Sequence, residues 1–205
     1  LGVIVEVTLN LIKIPSPFVE VTTVQFQHIS EIEQLFGNAK SSADFAWAWC
    51  DPFSKNRNLA RGFFKSARWV ESKKQITSEE LKSSLVQGGG IYGLISANTL
   101  WSIGRPLYKR RVIRELNRVC YPLSLCYQGV NHILRSKNQM LFTKFNFPFN
   151  KVPDFKSLYK PSGFWEFQPL IPKTAGIESV EELFRIYQRY RCEPFICGIK
   201  AHSLD

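Results

Sequence analysis

The sequence holds a single methionine, Met140, and no apolar run that approaches the ~18 residues of a membrane-spanning helix. No stretch of it has the basic, apolar and small-residue succession of a secretory signal peptide. The cysteines number five, and the spacings Cys120 to Cys126 and Cys192 to Cys197 fit neither a CxxC redox pair nor a zinc-ligand set. Buried free thiols in a reducing compartment, the cytoplasm, are therefore expected. Phosphate loops are missing too. Gly88-Gly89-Gly90 is followed by no GK[ST] and lies in no GxGxxG spacing, so it reads as a flexible linker. An RNA-binding aromatic signature and a helix-turn-helix pattern are also absent, and no nucleic-acid partner is expected.

What is present is enough to fold. A chain of 205 residues that is 44% hydrophobic buries a real core, as one sizeable domain or two small ones. The net charge of +10 favours an anionic partner: a phosphate group, nucleic acid or a membrane surface. The densest basic cluster, Lys109-Arg110-Arg111 with Arg114 and Arg118, falls on one predicted helix and reads as a solvated face. A chain that opens on Leu1 and has its only methionine at position 140 is expected to be part of a longer or processed protein.

The stretch from Gly163 to His202 organises the reading. Phe164 and Glu166 alternate with Trp165 and Phe167, as a strand requires. Ser179 and Glu182 form a capping-box pattern, and Val180, Leu183, Phe184 and Tyr187 make one helical stripe. Phe195 to Ile199 reads as a short buried strand that delivers Lys200 and His202 to its end. A similar succession stands earlier. Phe18 to Gln27 is a strand, Ser30 and Glu33 cap a helix with Ile29, Ile32, Leu35 and Phe36 on its buried stripe, and Phe45 to Cys50 is a strand. That last strand sets Trp47 and Trp49 on one side and Ala46 and Ala48 on the other. The pattern predicts an α+β fold: an antiparallel sheet with helices packed on one face, built from ferredoxin-like split β-α-β repeats.

Other elements follow from pattern alone. Leu1 to Ile14 alternates as a long strand, closed by the rigid connector Pro15-Ser16-Pro17. Asp51-Pro52 turns the chain, and Leu59 to Arg68 is a further strand; Asp51 and Arg61 are expected to pair or cap that turn. Thr77 to Leu85 begins as a helix. Thr99 to Val119 is a basic amphipathic helix with a break at Gly104-Arg105-Pro106, and Tyr121 to Asn131 is irregular. Leu141 to Phe147 reads as a strand with Phe142, Lys144 and Asn146 on one side, and Phe149 to Pro161 as a loop.

Several of these stretches, in order, resemble the FAD-linked oxidase superfamily of vanillyl-alcohol oxidase type, and within it the branch of decaprenylphosphoryl-ribose oxidase and the sugar and alditol oxidases. The residues that carry the resemblance are Leu1 to Leu9, Ala46 to Asp51, Leu59 to Gly62, Phe145 to Pro148, Gly163 to Gln168 with Ile171-Pro172, and Phe195 to Lys200. The resemblance implies that residues 1–14 are the last strand of an FAD-binding domain and residues 15–205 a substrate-binding cap domain, incomplete at its C-terminus. It implies FAD, bound mainly by a domain outside this chain, and a substrate alcohol or sugar, with phosphorylated and lipid-linked forms among the candidates and membrane-surface association left open.

The chemistry implied is hydride transfer from a carbinol carbon to the flavin, with the cap orienting the alcohol. Lys200 matches the family's flavin-facing, substrate-contacting lysine and stands as a catalytic and cofactor-binding candidate. His202, with an ordinary pKa near ~6.5, is a candidate general base two residues on. Trp49, Lys144 and Asn146 are candidate substrate-binding residues; for Trp49 core packing serves equally well. The chain departs from the family at Pro169 and at Ala201-His202-Ser203. Without the resemblance, the residues also suit a cofactor-free basic α+β domain that binds an anionic ligand or nucleic acid; with it, a degenerate flavoprotein kept for interaction is a third reading.

Overall fold

The computed structural model describes residues 3–11, 13–71, 76–85, 90–91, 95–96, 99, 101, 104–133, 139–146 and 155–201. Its centre is one split β-α-β unit. Strand β1 (Phe18–Phe26) leads through helix α1 (Glu31–Ala39) to β2 (Phe45–Cys50), and β3 (Gly62–Trp69) returns between them. β3 is antiparallel to both neighbours, so β1 and β2 run parallel with β3 inserted. Two short strands extend this unit at its edges: β6 (Gln139–Leu141) beside β1, and β7 (Gly198–Ile199) beside β2. The resulting five-stranded antiparallel sheet has the order β6-β1-β3-β2-β7. A separate pair joins β4 (Gly90–Ile91) to β5 (Ile95–Ser96).

The pleat sorts side chains into two cores. On the helix side, Phe26, Ala48, Cys50 and Phe64 meet Ile32 and Ala39 of α1, Ile29 just ahead of it, and Phe184 of α5 (Gly176–Arg189). Ala46 and Ala48 are small because α1 lies over them. The predicted stripes hold: Leu35 and Phe36 of α1, and Val180 and Tyr187 of α5, pack on this core. On the other, aromatic side, Val19, Val21 and Ala67 meet Phe145, with Phe45, Trp47, Trp69, Met140 and Phe142 around them.

Helices therefore occupy both faces, not one. Helix α2 spans Ser78–Leu85, and Thr77 with Glu80 caps it reciprocally at 3.1 and 3.0 Å. The predicted break at 104–106 is a 3₁₀ turn, Arg105–Leu107. Helix α3 then runs Arg110–Ile133, straight through the stretch read as irregular and through Pro122. Proline forfeits one helical hydrogen bond there. Tertiary anchors offset it: Arg110 grips Glu193, Asn117 Nδ2 donates to Asp51 Oδ1 at 3.0 Å, and the buried Tyr121 hydroxyl donates to the Phe26 carbonyl at 2.8 Å. These residues recur at helical spacing, so one stripe holds α3 to the sheet while Lys109, Arg111, Arg114 and Arg118 stay exposed, as a solvated face should.

Several expected elements differ. The strand expected over 1–14 does not form among its described residues, which have no regular structure and pair with nothing, and its apolar side chains are largely bare. A strand needs a neighbour for its backbone groups, and the sheet offers none here. The strand expected over 164–167 is likewise unpaired, with Trp165 fully exposed. So one split β-α-β unit forms among the described residues, and the second copy reduces to α5 and the short β7. Of the strand expected over 141–147, Leu141 ends β6 and the next five residues form α4 (Phe142–Asn146), because Phe142 and Phe145 share a helical face against the aromatic core; Phe147 lies outside the described residues. Ser30 makes no capping bond; Glu31 Oε1 accepts from the Gln27 and His28 N–H groups, each at 2.9 Å. Ser179 lies inside α5 and donates back to the Ala175 carbonyl at 2.8 Å. No helix among the described residues is long and apolar enough to cross a membrane.

Candidate functional site

The aromatic side of β2 and β3 carries polar chemistry as well as rings. Registration sets Trp49 opposite Phe63 and Trp47 opposite Lys65. Trp49 and Phe63 stack, with centroids 5.6 Å apart and planes 24° apart. Phe63 continues to Tyr121 at 5.5 Å, and the Arg61 guanidinium lies over the Tyr121 ring at 4.3 Å. The Lys65 ammonium sits 5.3 Å from the Trp47 ring centre. Phe145 of α4 closes the far end, 6.1 Å from Trp47. Trp47, Trp49, Phe63 and Lys65 are all half-buried, so the surface is walled by rings yet open to contact.

Lys200 follows β7 by one residue and is exposed. Ile199 faces the helix-side core, as does its partner Ala48. Continuing the alternation by one residue brings Lys200 to the level and side of Trp47. Lys200 thus stands one residue past the strand that borders the one carrying Trp49. The structure does not gather the rest. Lys144 points to solvent from α4 and makes no hydrogen bond or ion pair among the described residues. Asn146 is half-buried at the end of that helix. Their expected common strand face does not exist, because the segment is helical. His202 lies outside the described residues.

The rim of this surface is built around buried charge. Asp51 takes hydrogen bonds from Asn117 and from the Phe53 N–H at 3.2 Å, and Arg61 stands 3.7 Å away. Burial wins over these partners and raises the Asp51 carboxyl above its ordinary range. The Asp51 N–H also donates to the Arg61 carbonyl at 2.8 Å, so the structural role expected of this pair holds. Nearby, Arg110 forks both oxygens of Glu193, whose side chain is 1% exposed. No cluster of His, Cys, Asp or Glu suited to a metal ion occurs among the described residues.

The resemblance named Trp49 and Lys200 as candidates, and neither it nor the sequence pattern singled out Lys65, Phe63 or Tyr121. Lys65 was legible in principle: it shares one face of a predicted strand with Phe63 and Ala67. Tyr121 was not, since its stretch read as irregular. No protein-family model matches the chain, and no curated protein matches its sequence.

Proposed function

We propose that this chain is the substrate-covering domain of a flavin-dependent oxidoreductase acting on an alcohol, with a sugar hydroxyl as the substrate class. One observation carries the reading: a half-buried tryptophan and phenylalanine stack side by side on a sheet face, and Lys200 follows the neighbouring strand. Such a face suits a flat ring with polar substituents. Trp47, Trp49 and Phe63 would exclude water from it. The flavin, when bound, supplies the hydride acceptor. Lys200 donates hydrogen bonds to the substrate oxygen, and Lys65 adds positive charge behind Trp47. The bare, alternating residues 3–11 agree with a strand whose partners lie in a flavin domain.

The test is an absorbance spectrum of the longest polypeptide that carries this chain. A flavin band near ~450 nm, bleached anaerobically by a sugar or alcohol, is the expected result. Lys200→Ala should slow the bleaching on the order of 10²-fold while leaving the band in place. A colourless protein that takes up no added FAD sinks the reading. Tight, salt-sensitive binding of single-stranded oligonucleotide by that colourless protein would instead promote the basic ligand-binding alternative, which the Lys65–Trp47 contact also suits.

A further inference from the structure

Cys50 ends β2 on the helix side of the sheet, and Cys197 stands directly across from it. The register that pairs Trp49 with Gly198 and Ala48 with Ile199 carries on by one residue. The Cys50 N–H donates to the Cys197 carbonyl at 3.1 Å. Both thiols face the same core: Cys50 is fully buried in it, and Cys197 packs on its rim. Opposed residues that share ladder hydrogen bonds have Cα atoms about 5.5 Å apart, inside the span a disulfide bridges. β7 is two residues long and lies at the sheet edge, so Cys197 can shift toward Cys50 while little else moves.

We propose that Cys50 and Cys197 form a reversible cross-strand disulfide that fastens the edge strand β7 to β2 under oxidising conditions. The oxidant is a low-molecular-weight disulfide of the glutathione type. The Cys197 thiolate attacks one sulfur of glutathione disulfide, that S–S bond breaks, and one glutathione leaves as a thiolate and takes up a proton. The Cys50 thiol gives its proton to solvent and attacks the Cys197 sulfur of the mixed disulfide. The Cys50–Cys197 bond forms and the second glutathione leaves. The protein loses two electrons, and glutathione disulfide gains both.

Burial sets the pace. It pushes the Cys197 thiol up to about 12, and it raises Cys50 well above the ordinary value, with further repulsion from Cys197 and Asp51. The reaction is therefore slow at neutral pH and quickens as pH rises. Cys192, exposed on the same connection, accepts glutathione readily and serves as the internal control. Lys200 is three residues beyond Cys197, so the bond would steady the backbone that carries it. The bond itself does not depend on what Lys200 binds.

The intact chain is incubated with glutathione disulfide at about pH 8.5, near the ordinary cysteine pKa, then acid-quenched, alkylated in denaturant, digested and read by mass spectrometry. The expected result is a linked peptide pair that holds Cys50 and Cys197, reversed by dithiothreitol. Cys192→Ser leaves the link intact, and Cys197→Ser abolishes it. Cys50→Ala keeps a small apolar group in the core and should halt the reaction at a Cys197–glutathione adduct. A link between Cys192 and Cys197, or a Cys50 thiol that still alkylates fully once Cys197 carries glutathione, overturns the proposal.

Discussion

Asp51 and Glu193 are both buried carboxylates, and their surroundings move them in opposite directions. For Glu193 burial works upward, but the Arg110 hydrogen bonds, its own backbone N–H, and the charges of Arg110 and Lys55 outweigh it and leave the carboxyl below its usual range. For Asp51 burial prevails over Asn117, the Phe53 N–H and Arg61. The linkage signs therefore differ. Glu193, lowered in the fold, contributes stability that is present above the ordinary carboxylate pKa of about 4.3 and is lost as pH falls through the folded value. Asp51, raised in the fold, holds its proton longer folded than unfolded, so its contribution declines as pH rises from the ordinary value of about 3.9 through the folded one. Urea midpoints measured from about pH 3 to pH 7 should separate them. Glu193→Gln should flatten the acid-side loss, whereas Asp51→Asn should remove a decline on the rising side. Equal slopes in both variants and the parent would contradict the assignment.

At the scale of elements, the hairpin between β2 and β3 shows how one residue fixes register. Gly62 starts β3 opposite Cys50, and a methyl group added there would overlap the Trp49 carbonyl oxygen and the Phe26 ring. Gly62→Ala should cost about 3 kcal/mol or more, since backbone on one side and a core ring on the other leave nowhere to move. A urea midpoint close to the parent's would show that the hairpin is looser than described. This element was legible in advance: the alternation of Trp47 and Trp49 against Ala46 and Ala48 is the pleat itself, and helix side and aromatic side follow from it. So were the stripes of α1 and α5, because burial and helical spacing agree there. The start of β3 was missed by three residues, since Leu59 and Ala60 are apolar yet belong to the turn, with Ala60 at a φ of 48°. α4 and the second half of α3 were misread for a related reason. Short apolar runs such as Leu141-Phe142 fit either period, and only the partners supplied by tertiary contact decide between them. The candidate site divides the same way. Trp49 and Lys200 were singled out by the resemblance on segments that strand pattern placed, but Tyr121 reaches the face from a helix that local propensity would end at Pro122.

For the whole molecule, the distribution of apolar surface is the telling quantity. Val3, Val5, Leu9 and Leu11 are each at least 75% exposed, and Phe167 and Leu170 are bare in a second unpaired segment. Contiguous apolar surface of this kind marks a contact with something else, because scattered exposure is ordinary but an alternating run of it is not. The described residues of the first segment, 3–11, contribute no pairing to the sheet and no side chain to either core. The segment's net effect on the stability of the folded unit should then be close to zero, while its effect on association should be large. Removing residues 1–13 retains Ser16, whose hydroxyl accepts from the Phe18 N–H at 3.2 Å and donates to the Val70 carbonyl, so the β1–β3 end stays tied. The shortened chain should unfold within about 0.5 kcal/mol of the parent, as a change away from packed features does. It should also self-associate less in light scattering as concentration rises. A loss of several kcal/mol on deletion would mean that the segment folds back onto this sheet, and a flavin domain would no longer be needed to explain its alternation.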